Sequence, residues 1–353
     1  MNSSLHSKIE GLLIGIAVGD AIGLPSEGMR PGTIAKLGWT NQLKHRFIFG
    51  RGMWSDDTEQ SIMIAQALVK SQGDLHKFSR SFSWELRWWI LGLPAATGLA
   101  TARAVFKLWL GFPSSMSGVF SAGNGSAMRT APIAAYFLDD PKKRKSFAEA
   151  QTRITHSDPK ATISTIAITE LIALLLRSDS QPPTKDVFET LSSISPDQEW
   201  NEILQTIESA LDKDGTISDL LKQLGGNPSK GISGYVYQTV PAVVLAGLKN
   251  DWDYEKTIIE IIAAGGDTDT TAAIAGALCG ACGGINNIPR SWVSGIREWP
   301  TSASRLTSLA RALEHKTPLR IRPRWSPLLL LRNLTFLAIV LAHGFRRMFS
   351  LKG

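Results

Sequence analysis

Cysteine is almost absent from this chain of 353 residues, which contains only Cys279 and Cys282. Two cysteines exclude the disulfide framework of a small secreted domain, and a zinc site built on their C-x-x-C spacing would need a second ligand pair that does not lie nearby. Their neighbours are small and apolar, so we interpret both as core residues on a tightly packed helix. Residues 1–10 are polar and lack the pattern of a signal peptide. We therefore expect a cytoplasmic protein.

The chain also lacks an acidic excess, and its net charge of +7 is distributed unevenly. Residues 311–353 contain nine Lys or Arg and one acid, Glu314, and so carry +8. Residues 1–310 contain 29 basic and 30 acidic side chains, a net charge of −1. A nearly neutral body argues against nucleic-acid binding. We predict one domain over 1–310 and a basic, apolar C-terminal extension over 311–353.

The alternation of polar and apolar residues that is typical of β-strands is scarce, and no repeat of about 20–50 residues is present. Helical periodicity dominates instead. These patterns predict an all-α fold, a compact multi-helix bundle. The predicted helices span 9–22, 59–71, 74–89, 97–110, 159–177, 239–248, 254–264 and 270–282.

Small residues recur at every fourth position in the first and last of these helices, and residues four apart share one helix face. Each glycine costs a helix about 1 kcal/mol relative to alanine, so a whole stripe needs a compensating reason. We expect a close approach of helices deep in the domain, with the polar residues at their ends directed into a central site. The positions are Gly11, Gly15, Gly19 and Gly23 in one helix and Ala272, Gly276, Gly280 and Gly284 in the other.

Two clusters combine aspartates with hydroxyl side chains directly before apolar helices. A helix cap needs only one such residue, so capping accounts for part of each cluster. Carboxylate and hydroxyl oxygens suit Mg²⁺, Mn²⁺ or Ca²⁺ better than zinc, and the loop pattern of an EF-hand is absent. Brought together, the clusters could share two metal ions roughly 3.5–4 Å apart. The clusters are Ser55-Asp56-Asp57-Thr58 and Asp267-Thr268-Asp269-Thr270.

Three further segments carry candidate ligand-binding residues. The glycine-rich stretch 121–129 lacks the Gly-Lys-Ser/Thr of a P-loop, and it is either a structural turn or a phosphate-binding loop in which Asn124 contacts a ribose hydroxyl or a metal-bound water. His156 precedes the predicted helix that starts at Pro159, and it is either structural or part of the site. Glu27 follows the first glycine-striped helix, and it is either a surface residue or a carboxylate held near metals.

In this order, these segments resemble the ADP-ribosylglycohydrolase family, whose best-known branch removes ADP-ribose from an arginine of dinitrogenase reductase. The resemblance spans about residues 9–292 and implies an orthogonal all-α bundle with a central cleft that holds two Mg²⁺, or Mn²⁺. It also implies hydrolysis at ribose C1 by metal-activated water, with ADP-ribosyl-arginine on a protein as the expected substrate. The matching text is GLLIGIAVGDAIGLPSEG, WSDDTEQS, SAGNGSAMR, ITHSDPKA, GYVYQTVPAVVLAGL and GGDTDTTAAIAGALCGACGGINNIPRSW.

Carried over position by position, the resemblance assigns three sets of residues. Ser55 departs from the family by replacing a common threonine, although it retains a hydroxyl. The implied metal ligands are Ser55, Asp56, Asp57, Asp267, Asp269 and Thr270. The implied catalytic residues are Glu27, Asp56 and Asp269. The implied substrate-binding residues are Gly123, Asn124, Gly125, Ser126 and His156.

Other functions fit the same residues. One is an immunity protein that neutralises an ADP-ribosyltransferase toxin, either by hydrolysis or by steric blocking. Another is a non-enzymatic ADP-ribose-binding relative, which a loss of metal ligands would indicate, and none is lost here. A third is hydrolysis of a different linkage, such as ADP-ribosyl-serine. The expected partners are an ADP-ribosylated protein and, for the immunity function, the transferase.

The extension contains an apolar run over 328–342 that is shorter than the roughly 20 residues of a spanning helix and is interrupted by Arg332 and Asn333. Three interpretations are open: a helix docked on the domain, a contact for self-association, or an anchor on anionic lipid at the inner membrane surface. The flanking basic residues are Arg320, Arg322 and Arg324 on one side and Arg346, Arg347 and Lys352 on the other.

Overall fold

The computed structural model describes residues 4–319 and 327–350, and helices account for most of them. Backbone pairing outside helices is limited, in these two ranges, to isolated bridges. The prediction of an all-α fold is therefore confirmed. The helices of the described residues are α1 (Leu5–Gly23), α2 (Pro31–Lys36), α3 (Asp56–Ser71), α4 (Leu75–Ile90), α5 (Leu99–Trp109), α6 (Ala131–Tyr136), α7 (Pro141–Thr155), α8 (Pro159–Arg177), α9 (Thr184–Ser192), α10 (Gln198–Asp212), α11 (Ile217–Gln223), α12 (Val236–Lys249), α13 (Tyr254–Ala264), α14 (Thr268–Gly283), α15 (Arg290–Gly295), α16 (Ala303–His315) and α17 (Pro327–Ser350).

Helices α1 and α14 form the centre of the bundle and run antiparallel with their backbones in contact. A Cβ atom added at Gly19 would lie 2.1 Å from the Ala272 carbonyl oxygen, and one added at Gly276 would lie 2.2 Å from the Gly15 carbonyl oxygen. No side chain other than hydrogen fits at such distances. The predicted close approach of the two glycine-striped helices is confirmed.

This pairing brings the polar end of α1 beside the polar start of α14. The Thr268 Oγ1 donates a hydrogen bond of 2.9 Å to the Gly23 carbonyl oxygen. Asp20, one turn earlier in α1, is completely buried. The start of α3, which carries the first aspartate cluster, also lies beside Asp20. Both aspartate clusters therefore lie next to the last turn of α1.

The remaining helices pack around this pair and bury both cysteines. Cys279 is fully enclosed on α14, and burial raises its pKa to about 12. Burial likewise raises the pKa of Cys282 to about 11. A thiol is reactive as the thiolate, so neither side chain has the character of a redox residue. The interpretation of both cysteines as core residues is confirmed.

The apolar C-terminal segment forms α17 and packs along the bundle through one face. Arg332, Asn333 and Phe336 on that face are buried, and the Asn333 Nδ2 donates a hydrogen bond of 2.7 Å to the Gly92 carbonyl oxygen. The residues that interrupt the apolar run are therefore the ones that hold it on the domain. Of the flanking basic residues, Arg320, Arg322, Arg324 and Lys352 lie outside the described residues, as do the side chains of Arg346 and Arg347.

Arg332 connects α17 to the start of α3. Its Nη1 lies 3.0 Å from a carboxylate oxygen of Glu59, and its Nη2 lies 2.7 Å from a carboxylate oxygen of Glu298. The same Nη2 donates a hydrogen bond of 2.7 Å to the Trp54 carbonyl oxygen. The guanidinium thus compensates two largely buried carboxylates and fixes the backbone directly before Ser55.

We expect Arg332→Met to lower the free energy of unfolding by about 3–5 kcal/mol, because it leaves the Glu59 and Glu298 carboxylates without a counter-charge in a buried site. Thermal unfolding followed by circular dichroism measures the change. Arg103→Met, which removes an exposed arginine from α5, is the matched control and should unfold like the wild type. Equal stability of the two variants would show that α17 is not held by this network.

Candidate active site

Ser55 occupies the cap position of α3, where its Oγ accepts a hydrogen bond from the Asp57 N–H. Further donors at this helix start reach back to Asp20. The Ser55 N lies 2.9 Å from both carboxylate oxygens of Asp20, and the Thr58 Oγ1 lies 2.6 Å from Oδ2. Since Ser55 and Asp20 satisfy the helix start, capping leaves the carboxylates of Asp56 and Asp57 unexplained.

Asp56 and Asp57 have different hydrogen-bond partners. The Gln60 Nε2 donates to Asp56 Oδ2 at 3.0 Å, and the Ser55 Oγ donates to Asp57 Oδ2 at 3.0 Å. Asp57 Oδ1 is buried and has no hydrogen-bond partner among the described residues. A buried carboxylate oxygen without a donor indicates a site for a ligand or ion, because buried polar atoms are nearly always satisfied.

A glycine turn positions the second cluster. Gly265 and Gly266 have φ angles of +66° and +83°, and a Cβ atom at Gly266 would lie 2.0 Å from the Ile232 carbonyl oxygen. The backbone here must be glycine both for its conformation and for its close approach to the neighbouring loop. Asp267 follows at the start of α14, where its side chain makes no capping hydrogen bond. Its carboxylate is therefore available for contacts outside the helix.

The two clusters meet through Thr270. Its Oγ1 lies 3.4 Å from Asp57 Oδ2, a long hydrogen bond between α14 and α3. Asp269 is buried nearby, and its Oδ1 has no hydrogen-bond partner in the part of the chain that the structure describes. Each cluster thus contributes one buried carboxylate oxygen that lacks a donor.

The glycine-rich loop joins the same site through Asn124. Its Nδ2 donates to Asp267 Oδ2 at 2.8 Å and to the Thr239 Oγ1 at 3.0 Å. Ser126 is placed differently: it is fully buried and accepts a hydrogen bond of 2.8 Å from the Thr165 Oγ1. Ser126 therefore holds the loop against α8, and its side chain does not face the cleft.

His156 lies against the glycine loop with its ring buried. A Cβ atom at Gly125 would lie 3.2 Å from the ring Cε1, and one at Gly123 would lie 3.3 Å from Nε2, so the loop can lie this close only with small residues there. Burial, and then the charge of Arg129, lower the pKa of His156 to about 3. The ring is therefore neutral at physiological pH and can offer a ligand a hydrogen bond rather than a charge.

These segments surround one cleft of about 350 Å³. The predicted site residues that line it are Glu27, Asp56, Asp267, Asp269, Thr270, Gly123, Asn124, Gly125 and His156. Ser55 and Asp57 are buried behind this surface. The α4–α5 loop and the start of α5 form another wall, including the exposed Leu99, which the sequence did not single out.

The electrostatics of the cleft are dominated by its carboxylates. Burial raises the pKa of Asp20 to about 7, although several hydrogen bonds oppose this. Burial, followed by repulsion from the neighbouring acids, raises the pKa values of Asp56, Asp57 and Asp269 well above their ordinary range. No Lys or Arg is among the described residues that line the cleft. The site therefore favours an added positive charge.

The donor set fits divalent cations. It consists of carboxylate and hydroxyl oxygens, which Mg²⁺ and Mn²⁺ prefer, and it includes the two buried oxygens without donors. Within the described ranges, however, no group of three or more His, Cys, Asp or Glu side chains is arranged so that it could hold a metal ion. The chemistry of the residues supports a metal site, and the predicted pair of ions stays a prediction.

A buried network that the sequence did not reveal connects two parts of this site. Arg129 Nη1 donates to the Gln60 Oε1 at 2.5 Å, and Gln60 in turn donates to Asp56. Arg129 Nη2 donates to the Thr155 Oγ1 at 2.6 Å, and that hydroxyl lies 2.8 Å from the Nδ1 of His156. Arg129 thus orients Asp56 and His156 together. In the sequence, Arg129 is marked only by being a basic residue at the end of the glycine-rich segment, just before an apolar helix.

Comparison with known proteins agrees with this arrangement. The sequence pattern of the ADP-ribosylglycohydrolase family matches residues 1–322. The ADP-ribosyl-[dinitrogen reductase] glycohydrolase of Rhodospirillum rubrum is 27% identical over 302 residues, covering 82% of this chain and 90% of that protein. The ADP-ribosylarginine hydrolase Tri1 of Serratia proteamaculans (strain 568) is 23% identical over 325 residues, covering 88% and 80%.

A solved structure described as an ADP-ribosylglycohydrolase-related protein complex has the same fold, with a TM-score of 0.65 over 89% of this chain and 99% of that one at 24% identity. The chain belongs to the ADP-ribosylglycohydrolase family, a class of enzymes that hydrolyse the glycosidic bond of ADP-ribose. The expectation of an ADP-ribosyl hydrolase is confirmed at the level of this class. Helix α17 lies beyond the residues that the family pattern covers.

Proposed function

We propose that this enzyme removes ADP-ribose from modified protein side chains, first of all from arginine, and that it requires Mg²⁺ or Mn²⁺. The observation that carries the proposal is the meeting of Asp56, Asp57, Asp267 and Asp269 beside the glycine loop, with two buried oxygens that lack donors. The arginine acceptor is supported by the name of the Serratia relative, an ADP-ribosylarginine hydrolase. A protein substrate is supported by the name of the Rhodospirillum relative, which acts on ADP-ribosylated dinitrogen reductase.

The charge of the cleft supports the requirement for cations. ADP-ribose carries a negatively charged diphosphate, and four carboxylates but no Lys or Arg line the cleft in the described residues. The backbone N–H groups of the glycine loop contribute only partial positive charge. Divalent cations would offset the remaining repulsion and would lower the pKa of water near the scissile bond. Two ions, as the family resemblance implies, would match the two clusters.

The chain's own residues supply orientation and proton transfer. The glycine loop would hold the diphosphate, which fixes ribose C1 against the acidic wall. Glu27 lines the cleft near Asp56 and Asp269, and it or Asp269 would accept the proton of the attacking water. The neutral His156 would donate or accept one hydrogen bond at the loop. Arg129, through Gln60, keeps Asp56 in place.

Release of ADP-ribose from arginine-linked and serine-linked protein substrates tests this function. With Mg²⁺ present, we expect release from the arginine-linked substrate and slower release from the serine-linked one. Removing divalent cations with a chelator should reduce release by more than about 100-fold, because cation stabilisation in such sites is worth several kcal/mol. Restoring Mg²⁺ should restore the rate.

Two results would contradict the proposal. Release that persists unchanged in chelator would remove the cation requirement. Release from neither substrate with Mg²⁺ present, by protein that still binds ADP-ribose, would favour the non-enzymatic relative.

We further propose that the enzyme acts in the cytoplasm, in keeping with its composition, on an ADP-ribosylated protein partner. A transferase as a second partner stays a prediction from the sequence.

A further inference from the structure

The C-terminal helix is unlike the other long apolar helices of the molecule. Among the described residues, three helical segments are long and apolar enough to cross a membrane by length and composition. Leu5–Ser26 and Pro159–Arg177 are mostly buried in the bundle, with 94% and 67% of their apolar windows enclosed. The third, Pro327–Phe345, is only 17% enclosed. Its apolar surface therefore faces away from the domain.

The outward face of α17 is a continuous apolar stripe. Leu331, Leu334, Leu341 and Phe345 are each about half exposed and recur at helical spacing, on the side opposite the buried Arg332 and Asn333. Arg332 is the only Asp, Glu, Lys or Arg in residues 327–345. Because its charge is turned inward onto Glu59 and Glu298, the outward face carries no formal charge.

The loop that follows α4 also presents apolar side chains beside α17. Leu91 and Leu93 are exposed on either side of Gly92, whose carbonyl oxygen accepts the hydrogen bond from Asn333. Ala95 of the same loop packs against the apolar cluster that contains Phe336 of α17. Exposed leucines of this loop therefore lie next to α17.

The charge of the extension distinguishes between two candidate partners for the outward face of α17: a second copy of the chain and an anionic lipid surface. The spacing of Leu331, Leu334, Leu341 and Phe345 would also fit a helix of a second copy, but coiled-coil partners are usually paired by opposite charges beside the apolar seam, and here those positions are uncharged. Two copies would also bring together two extensions that each carry +8. An anionic lipid surface attracts the same basic residues at both ends of the helix.

We propose that α17 is a peripheral membrane-docking surface that inserts its outward leucines among the headgroups of an anionic bilayer, while Arg332 and Asn333 keep it attached to the domain. The helix lies in the plane of the interface, since crossing the bilayer would carry Arg332 into its apolar interior. This surface would hold the hydrolase at a membrane whatever its acceptor, and it is independent of the proposed chemistry.

Co-sedimentation of the full chain with vesicles tests the proposal without any substrate. We expect binding to vesicles of phosphatidylcholine with phosphatidylglycerol, weaker binding as salt is raised, and little binding to phosphatidylcholine alone. The double variant Leu334→Gln with Leu341→Gln should bind at least ~10-fold more weakly, because it removes inserted apolar side chains. The matched control, Leu5→Gln with Leu75→Gln, changes two comparably exposed leucines elsewhere and should bind like the wild type.

Three outcomes would overturn the proposal. Binding to neither vesicle excludes a lipid surface, and equal binding to both excludes recognition of anionic headgroups. A lipid-free wild type that is dimeric by sedimentation velocity, together with a monomeric Leu334→Gln and Leu341→Gln variant, would assign the face to a second copy instead. Unchanged thermal unfolding of both double variants verifies that the exposed substitutions leave the fold intact.

Discussion

Replacing Asp269 by Asn should reduce the rate of ADP-ribose release by roughly 10²–10⁴-fold while leaving the protein folded. Asparagine has the shape of aspartate, so the packing at the start of α14 is preserved. The change replaces a carboxylate in the wall of the cleft, where Oδ1 is buried without a donor among the described residues. It thereby removes both a negative ligand for a cation and a candidate proton acceptor. Steady-state release from the arginine-linked substrate, in excess Mg²⁺, measures the effect.

Asp186→Asn is the matched control for this variant, because it makes the same change in the first turn of α9 at an exposed position. Its rate should stay within about twofold of the wild type, as expected for a surface site. Wild-type turnover by the Asp269 variant in excess Mg²⁺ would show that the aspartate clusters are not the reaction centre. The variant also separates hydrolysis from steric blocking, since an immunity function by blocking would survive the loss of turnover.

The same substitution should change how stability depends on pH. The pKa of Asp269 is raised well above its ordinary value of 3.8 by burial and then by the neighbouring acids. Between the ordinary pKa of the unfolded chain and the raised pKa of the folded chain, the folded chain holds more protons. This contribution to stability is therefore lost as pH rises through the raised pKa values. Asp20, with a pKa of about 7, contributes in the same direction. His156, whose lowered pKa acts in the opposite direction, is the same in both proteins. In chelator, the melting temperature of Asp269→Asn should therefore fall less, or rise more, than that of the wild type between about pH 4 and pH 7.

Helices with strong boundary signals could be predicted from the sequence. The predicted spans 159–177 and 254–264 coincide with α8 and α13, because Asp158 and Asp253 cap them and a glycine ends the second. The amphipathic helices α7 and α10 were missed. The buried face of α7 includes Arg144, Gln151, Thr152 and Thr155, so apolar periodicity does not reveal it. Their start signals were present, since Asp140 with Pro141 begins α7 and Asp197 caps α10, but a cap does not show that a helix follows.

The residues of the candidate site also fall into those that could be predicted from the sequence and those that could not. Asp56 and Asp269 stood out because two aspartate clusters carried more carboxylates than helix capping needs. Asp20 and Arg129 did not, since each acts through a hydrogen bond to a residue distant in the chain. Gln60 did not either, although it donates to Asp56 only one helical turn away. Ser126 was predicted to bind substrate because it lies in the glycine-rich stretch, but its side chain is hydrogen-bonded to Thr165 and does not face the cleft. Patterns of residue type predicted most of the groups that line the cleft, whereas the residues that position those groups depend on tertiary geometry.

The second large effect is expected at the centre of the bundle, where Gly276→Ala should destabilise the protein by about 4–5 kcal/mol or prevent its folding. The added Cβ would lie 2.2 Å from the Gly15 carbonyl oxygen and 2.9 Å from the Tyr254 hydroxyl. That hydroxyl donates a hydrogen bond of 2.7 Å to the same Gly15 oxygen. The clash cannot be relieved by a side-chain rotation, because backbone atoms of α1 stand in the way. The two helices must separate.

Thermal unfolding and soluble yield measure this effect, and Gly344→Ala is the matched control. Gly344 also lies in a helix, α17, but no atom is within 4 Å of the position its Cβ would take. There alanine should be neutral or stabilise by up to about 1 kcal/mol through helix propensity. A Gly276→Ala protein as stable as this control would mean that α1 and α14 are not in backbone contact. Because the same contact aligns Asp20 with the start of α14, any soluble Gly276 variant should also lose activity, whereas Gly344→Ala should keep it.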